Sequence, residues 1–498
     1  MNRLKTYWAS HSRRLATMLN SVTTPNMRVI YGKAAQQGAR TRNPVVVIPG
    51  ILGTRLVSPQ RATPVWGGAS RAEFADEQVP EEARMIAHDM KLNVPLHELT
   101  DDLQPDGSIH RFKARKFGLS LQVRAYENIM RTLGAAGYID ENTRLTRRGL
   151  DYGKDVLSKC FEFDYDWRRS LPENAIRLGT MIETVVRFAK RESGCRDDLK
   201  VDVVAHSMGG LLLRYYLRYG KTLLPEDGGE REPTWAGAKH VEHCMLVGLP
   251  SAGSLNALRS LTVGLKPNPV MPNYAPAILG TMPSIYQLMP RGRHKCVLDV
   301  ETGEPIEDLL DLERWIERRW GLADEEAAEP TLKKLLPEAK SAAARRHIAL
   351  DHLAKCLTEA KRFHRAIDLP ADAPSGVILQ LFAGDGVQTI SKVKVGRGDT
   401  PPLVVETAAG DGTVLRSSAL MDERIGNAWY PRLLTPIRWD NVTFIATDHM
   451  ALTRHPTFID NALYLLLEKP RPACDFRLPA PENKAPAESH EPMTPAVS

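Results

Sequence analysis

Six short runs of the chain are rich in apolar and β-branched residues: Pro44-Val45-Val46-Val47-Ile48, Phe161-Glu162-Phe163-Asp164-Tyr165, Val201-Asp202-Val203-Val204-Ala205, His243-Cys244-Met245-Leu246-Val247, Val377-Ile378-Leu379-Gln380-Leu381-Phe382 and Val442-Thr443-Phe444-Ile445-Ala446. A strand covered on both faces has no solvent side, so it reads as such a run rather than as a polar-apolar alternation. Helical periodicity fills 173–191 and 209–218 between them. Strands separated by helices predict an α/β fold with a mostly parallel sheet and right-handed crossovers.

Two stretches break the alternation. Residues 66–120 are polar and turn-rich, with Asp106-Gly107 predicted as a turn. Residues 255–370 begin with a Pro-rich part at 266–290 and continue as a charged helical part. Within it 341–367 predicts a long amphipathic helix, with Ile348, His352, Leu353, Cys356 and Leu357 on one stripe. Both stretches read as insertions above the sheet, a cap or lid, rather than as sheet members. The predicted organisation is a leader over 1–42, one α/β domain over 43–469 with insertions at 66–120 and 255–370, and a disordered Pro/Ala/Glu tail over 470–498. No internal repeat is visible.

Composition changes this picture little. Of 498 residues, 43% are hydrophobic and 25% charged, which is enough for a sizeable core. A net charge of +6 is mild for this length; it suits an anionic surface and does not single out nucleic acid as a partner. The cysteines Cys160, Cys195, Cys244, Cys296, Cys356 and Cys474 include no C-x-x-C pair, against a zinc site or a dense disulfide framework. The basic amino-terminal stretch lacks a signal-peptide core, and no apolar run reaches transmembrane length. The expectation is a cytoplasmic protein, or one peripheral to a membrane, with no metal or cofactor.

The sharpest chemical motif is Val203-Val204-Ala205-His206-Ser207-Met208-Gly209-Gly210. An apolar strand runs into small-x-Ser-x-Gly and a helix follows, which is the context of a nucleophile elbow with Ser207 at its tip. A serine hydroxyl needs a base, and in this arrangement the base is a later histidine oriented by an intervening acid. His449, between a strand and a helix, is the first choice, with His455 its rival. For the acid, Gly384-Asp385-Gly386 and Gly410-Asp411-Gly412-Thr413-Val414 both follow apolar segments, and the residues alone leave Asp385 and Asp411 open. An oxyanion hole requires the amide after the serine, Met208, and one from the Pro49-Gly50-Ile51-Leu52-Gly53 loop; Ile51 is preferred, with Leu52 the alternative.

Taken in order, Val47–Gly53, Tyr165-Asp166-Trp167-Arg168-Arg169, Ala205–Gly209, Gly248-Leu249-Pro250-Ser251-Ala252-Gly253, Gly410–Val414 and Asp448-His449 resemble the lecithin:cholesterol acyltransferase and lysosomal phospholipase family. The resemblance spans 43–255 and 376–468 and fades in the insertions. It implies an α/β-hydrolase fold, a catalytic set of Ser207, Asp411 and His449, and a hole formed by Ile51 and Met208. It also implies lipid acyl hydrolysis or O-acyl transfer, with a lipid ester as partner and possible peripheral membrane contact. Animal members of the family carry a cysteine pair soon after the first strand and a secretion signal, and this chain shows neither. Residues 271–289 carry Met, Pro, Ile, Leu and Tyr and read either as the wall of an acyl channel or as a structural loop packed on the core. The alternatives are a soluble carboxylesterase or thioesterase, and a non-catalytic member of the fold that binds a lipid or a partner.

Overall fold

The computed structural model describes residues 30–36, 42–60, 64–67, 81–109, 111–116, 119–124, 126–136, 138–140, 159–193, 199–225, 228–229, 231–266, 273–424 and 431–469. The leader before residue 30 and the tail after 469 lie outside them.

Seven strands form the central sheet: β1 (Val45–Ile48), β2 (Ile139–Asp140), β3 (Lys159–Glu162), β4 (Val201–His206), β5 (Val241–Val247), β6 (Ile378–Gly384) and β7 (Asn441–Ile445). Their spatial order is β7-β6-β5-β4-β1-β3-β2, and every neighbouring pair is parallel. The apolar runs follow from coverage on both faces. Val46, Ile48, Val203, Ala205, Leu246, Leu381 and Ala383 enter the larger core on one side. Val45, Val47, Val204, Met245, Val247, Phe382 and Ile445 enter a second core on the other. Successive side chains of a strand point to opposite faces, so neither face could spare its apolar residues.

Helices α2 (Leu171–Ser193) and α3 (Met208–Tyr219) supply the first core; α1 (Glu127–Ala135) and α5 (Pro456–Leu467) supply the second. The chain lays down β1, moves to one side for β2 and β3, then crosses back to place β4 on the other side of β1. Strand order therefore reverses between β1 and β4. The loops leaving their carboxyl ends diverge there and open a crevice, the usual ligand position in such sheets.

The sequence expectations need several corrections. Asp106-Gly107 is no hairpin turn: it lies within strand Gln104–Ser108, which pairs antiparallel with Thr54–Val57 across an irregular register. Gly107 has φ +74°, so it supplies the bulge conformation rather than a chain reversal. The second run forms a strand only to Glu162; Phe163–Tyr165 is not strand, although the Phe163 amide still donates to the Val47 carbonyl at 2.8 Å. Val387–Val395 and Leu403–Gly410 form an antiparallel hairpin that leaves the central sheet, and Val297–Asp299 from the 255–370 stretch joins it in parallel. The long helix α4 (Ala342–Asp368) is present, capped at its start by the Ser341 side chain on the Ala344 amide.

Over its described part, the 271–289 segment is packed on the core: Ile278, Met282, Tyr286 and Met289 are fully buried in it. The Tyr165–Arg169 segment acts as a staple. Tyr165 Oη donates to the Pro49 carbonyl at 2.9 Å and Trp167 Nε1 to the Thr54 carbonyl at 3.1 Å. The buried Arg168 guanidinium pairs with Asp166 at 2.7 Å and Asp101 at 2.8 Å, and donates to the carbonyls of Ile86 and Ala87. Burial pushes the Asp166 carboxyl up, but the charge and hydrogen bonds of Arg168 outweigh that and hold it below its ordinary range. This segment thus fastens the 81–101 insertion to the sheet.

Candidate active site

Ser207 sits between the end of β4 and the first residue of α3, with φ +54° and ψ −126°. That backbone region is costly for a residue with a Cβ, of order 1–3 kcal/mol, and persists only where its surroundings over-determine it. Here they do. The Ser207 amide donates to the Val247 carbonyl at 2.8 Å, and its carbonyl accepts from Gly210 at 2.9 Å. A Cβ on Gly209 would stand 2.5 Å from the Pro49 carbonyl oxygen and 2.8 Å from that of Ile48, so only glycine lets α3 start this close to β1. Ala205 is fully buried between β1 and β5. Ser207 itself keeps 8% of its surface accessible.

The loop after β1 meets the serine directly. A Cβ on Gly50 would lie 2.8 Å from the Ser207 Cβ. The loop turns through Gly50–Gly53, closed by the Gly53 amide on the Gly50 carbonyl at 3.1 Å, with Leu52 at φ +63°. It is clamped on several sides: Tyr165 holds the Pro49 carbonyl, the Tyr126 hydroxyl accepts from the Gly50 amide at 2.7 Å, and Trp66 Nε1 donates to the Leu52 carbonyl at 2.9 Å. The amides of Ile51 and Met208 donate to no group among the described residues. Met208 is the first residue of α3, where the N–H groups have no intrahelical partner and the helix end favours negative charge.

His449 follows β7. Its Nδ1 lies 2.7 Å from Asp411 Oδ2, and its backbone amide donates to the Asp411 carbonyl at 2.9 Å. The other Asp411 oxygen accepts from the Thr413 and Val414 amides at 2.9 and 2.7 Å. An ionised carboxylate only accepts, so His449 Nδ1 carries a proton, and in the neutral imidazole Nε2 is then the nitrogen with the lone pair. The imidazole packs at the end of β5, where a Cβ on Gly248 would be 3.0 Å from its Cε1; the preceding carbonyl, of Val247, is the one that holds the Ser207 amide. The rings of His449 and His206 are 4.8 Å apart.

The alternatives part company here. Asp385 is half-buried, and its side chain has no hydrogen-bond partner among the described residues, whereas Asp411 is buried against His449. His455 accepts from the Thr457 amide at 3.2 Å and so caps α5. Asp448 points away and accepts from the Ala451 amide at 3.0 Å. Two residues at the site escaped sequence reasoning. Tyr126 and His206 bridge its loops, and a lone tyrosine before a helix, or the residue preceding a nucleophile, carries no signal of that.

A parallel sheet sandwiched by helices, with a strained serine turn at the switch point, is the α/β-hydrolase architecture. The lecithin:cholesterol acyltransferase family model matches residues 126–318, so the resemblance read from the motifs is borne out over that span. The matched span contains Ser207 but neither Asp411 nor His449. A putative phospholipid:diacylglycerol acyltransferase 2 of Arabidopsis thaliana is 30% identical over 99 residues, which is 20% of this chain and 14% of that protein. A chain of the Tle4-Tli4 complex superposes with a TM-score of 0.47 at 14% identity, covering 86% of this chain and 99% of that one. Among the described residues no helix is long and apolar enough to cross a membrane.

Proposed function

We propose that this protein is a serine-dependent lipid acyl hydrolase or O-acyltransferase in which Ser207, His449 and Asp411 act together. The observation that carries the proposal is the 2.7 Å contact between Asp411 Oδ2 and His449 Nδ1 beside a serine held at φ +54°. In the reaction, His449 Nε2 takes the Ser207 hydroxyl proton as Oγ attacks an ester carbonyl. The Ile51 and Met208 amides receive the developing oxyanion, each contributing about 3 kcal/mol to lowering the barrier. His449 then gives its proton to the departing alcohol, leaving an acyl-Ser207. Water, or the hydroxyl of a second lipid, attacks that ester with His449 again as base. Asp411 keeps the imidazole in the required tautomer and offsets its charge while it is protonated. The lipid character of the substrate is supported by the family match and by the acyltransferase relative.

The test is incubation of wild type and Ser207→Ala with vesicles of mixed phospholipids, followed by mass spectrometry of the products. Free fatty acid or transacylated lipid from wild type alone is the expected result. Failure of a fluorophosphonate to label Ser207, together with product yields equal in the two proteins, refutes the proposal.

A further inference from the structure

Two buried side chains that the proposed reaction leaves unused join the three loops of the site. The Tyr126 hydroxyl accepts the Gly50 amide proton at 2.7 Å and lies 3.3 Å from His206 Nδ1. His206 Nε2 is 3.3 Å from the His449 carbonyl oxygen. A carbonyl oxygen only accepts, so Nε2 carries the proton. Desolvation, reinforced by the neighbouring His449, depresses His206 to about 3, so the ring is neutral and Nδ1 keeps a lone pair. Burial also pushes the Tyr126 hydroxyl up, so it stays protonated. That hydroxyl, already accepting from Gly50, has one proton to give, and His206 Nδ1 is the acceptor in reach.

The directions are therefore fixed: Gly50 N–H to Tyr126, Tyr126 O–H to His206 Nδ1, and His206 Nε2–H to the His449 carbonyl. Each link uses its groups once, and reversing the imidazole would aim its Nδ1 proton at the tyrosine and a bare Nε2 lone pair at the carbonyl. The chain begins one residue before Ile51, passes through the residue before Ser207 and ends on the backbone of His449. Water cannot substitute readily, because Tyr126 and His206 are both almost wholly buried.

We infer that Tyr126 and His206 are positioning residues that lock the Gly50–Gly53 turn and the His449 loop at a set separation on either side of Ser207. This inference rests on the proposed reaction and deepens it. Neither residue touches the reacting atoms. They act by holding an oxyanion donor and the base in place before substrate arrives, and displacements of about 1 Å in such groups can cost about a hundredfold in rate.

The test uses the full chain and a p-nitrophenyl ester. Tyr126→Phe deletes only the hydroxyl. His206→Leu deletes both ring hydrogen bonds, and His206→Gln retains a donor for the His449 carbonyl. Tyr126→Phe and His206→Leu are expected to lower kcat by about ten- to a hundredfold with KM held within about threefold. His206→Gln should recover most of that loss, and the double variant should cost no more than the worse single one. A kcat for Tyr126→Phe within about twofold of wild type, or losses that multiply in the double variant, would overturn the relay.

Should the variants not fold, nitrogen-15 spectra of the wild-type histidines decide it. A neutral Nε2–H ring for His206, identified by its contact with Tyr126, is expected from about pH 5 to about pH 8. A Nδ1–H tautomer or an imidazolium overturns the relay. A wild-type chain that turns over no ester and takes no fluorophosphonate at Ser207 overturns the reaction itself. Wild-type turnover left intact by Tyr126→Phe overturns the relay alone.

Discussion

Asp411→Asn separates orientation of the base from the packing around it. The substitution keeps the side-chain volume, and the new amide can sit only one way. The Thr413 and Val414 N–H groups, at 2.9 and 2.7 Å from Oδ1, need an acceptor and so claim the asparagine oxygen. Its NH2 then faces His449 Nδ1, where the carboxylate oxygen had been at 2.7 Å. A donor there forces Nδ1 to accept, and the single imidazole proton moves to Nε2. The nitrogen that should take the serine proton is then occupied.

The wrong tautomer costs about 10⁴ in kcat where such sets have been dissected, equivalent to about 5.5 kcal/mol of barrier. Stability should change by less than about 1 kcal/mol, because every hydrogen bond is replaced. Asp411→Ala makes the contrast: it leaves the part-buried Thr413 amide and the buried Val414 amide unpaired and should lose stability as well, by about 1–3 kcal/mol for the buried group. The assay is steady-state turnover of a soluble ester, with the rate of fluorophosphonate labelling at Ser207 and urea unfolding measured on the same preparations. A kcat loss below about tenfold in Asp411→Asn, with labelling unchanged, would refute the tautomer argument.

Other parts of the structure can be tested similarly. Gly209→Ala should destabilise by about 1–3 kcal/mol or more and reduce turnover, since its Cβ collides with two backbone carbonyls rather than with a movable side chain; an unchanged urea midpoint would contradict this. Arg168→Met should cost about 3–5 kcal/mol by stranding the buried Asp166 carboxylate, measured by urea unfolding near neutral pH. His352, wholly buried with Nε2 3.0 Å from the Thr281 carbonyl, is lowered to about 3 by desolvation. Its unfolded form binds a proton that its folded form refuses, so its contribution to stability is complete above about pH 6.5 and falls as the pH drops below that. His352→Gln keeps a donor for Thr281 and should flatten the acid limb of stability by about 1.4 kcal/mol per pH unit between about pH 6 and about pH 4. Parallel wild-type and variant curves would sink that assignment.

Much of the sheet was legible in the chain because a strand buried on both faces must be largely apolar: β1 is so throughout, and β4, β5 and β6 are so apart from Asp202, His206, Glu242, His243 and Gln380. The serine turn was legible for a local reason: steric demand at Ala205 and Gly209 acts within four residues of one another. What lay beyond that reach depended on tertiary structure. Asp385 and Asp411 sit in near-identical Asp-Gly contexts, and only the fold brings one of them to 2.7 Å from His449. The hairpin Val387–Gly410 stands apart from the central sheet, and its parallel partner, Val297–Asp299, lies almost a hundred residues earlier, a pairing that only the fold reveals. Tyr126 and His206 are invisible as a pair, being eighty residues apart, because a hydrogen bond needs proximity and direction while a sequence records only order.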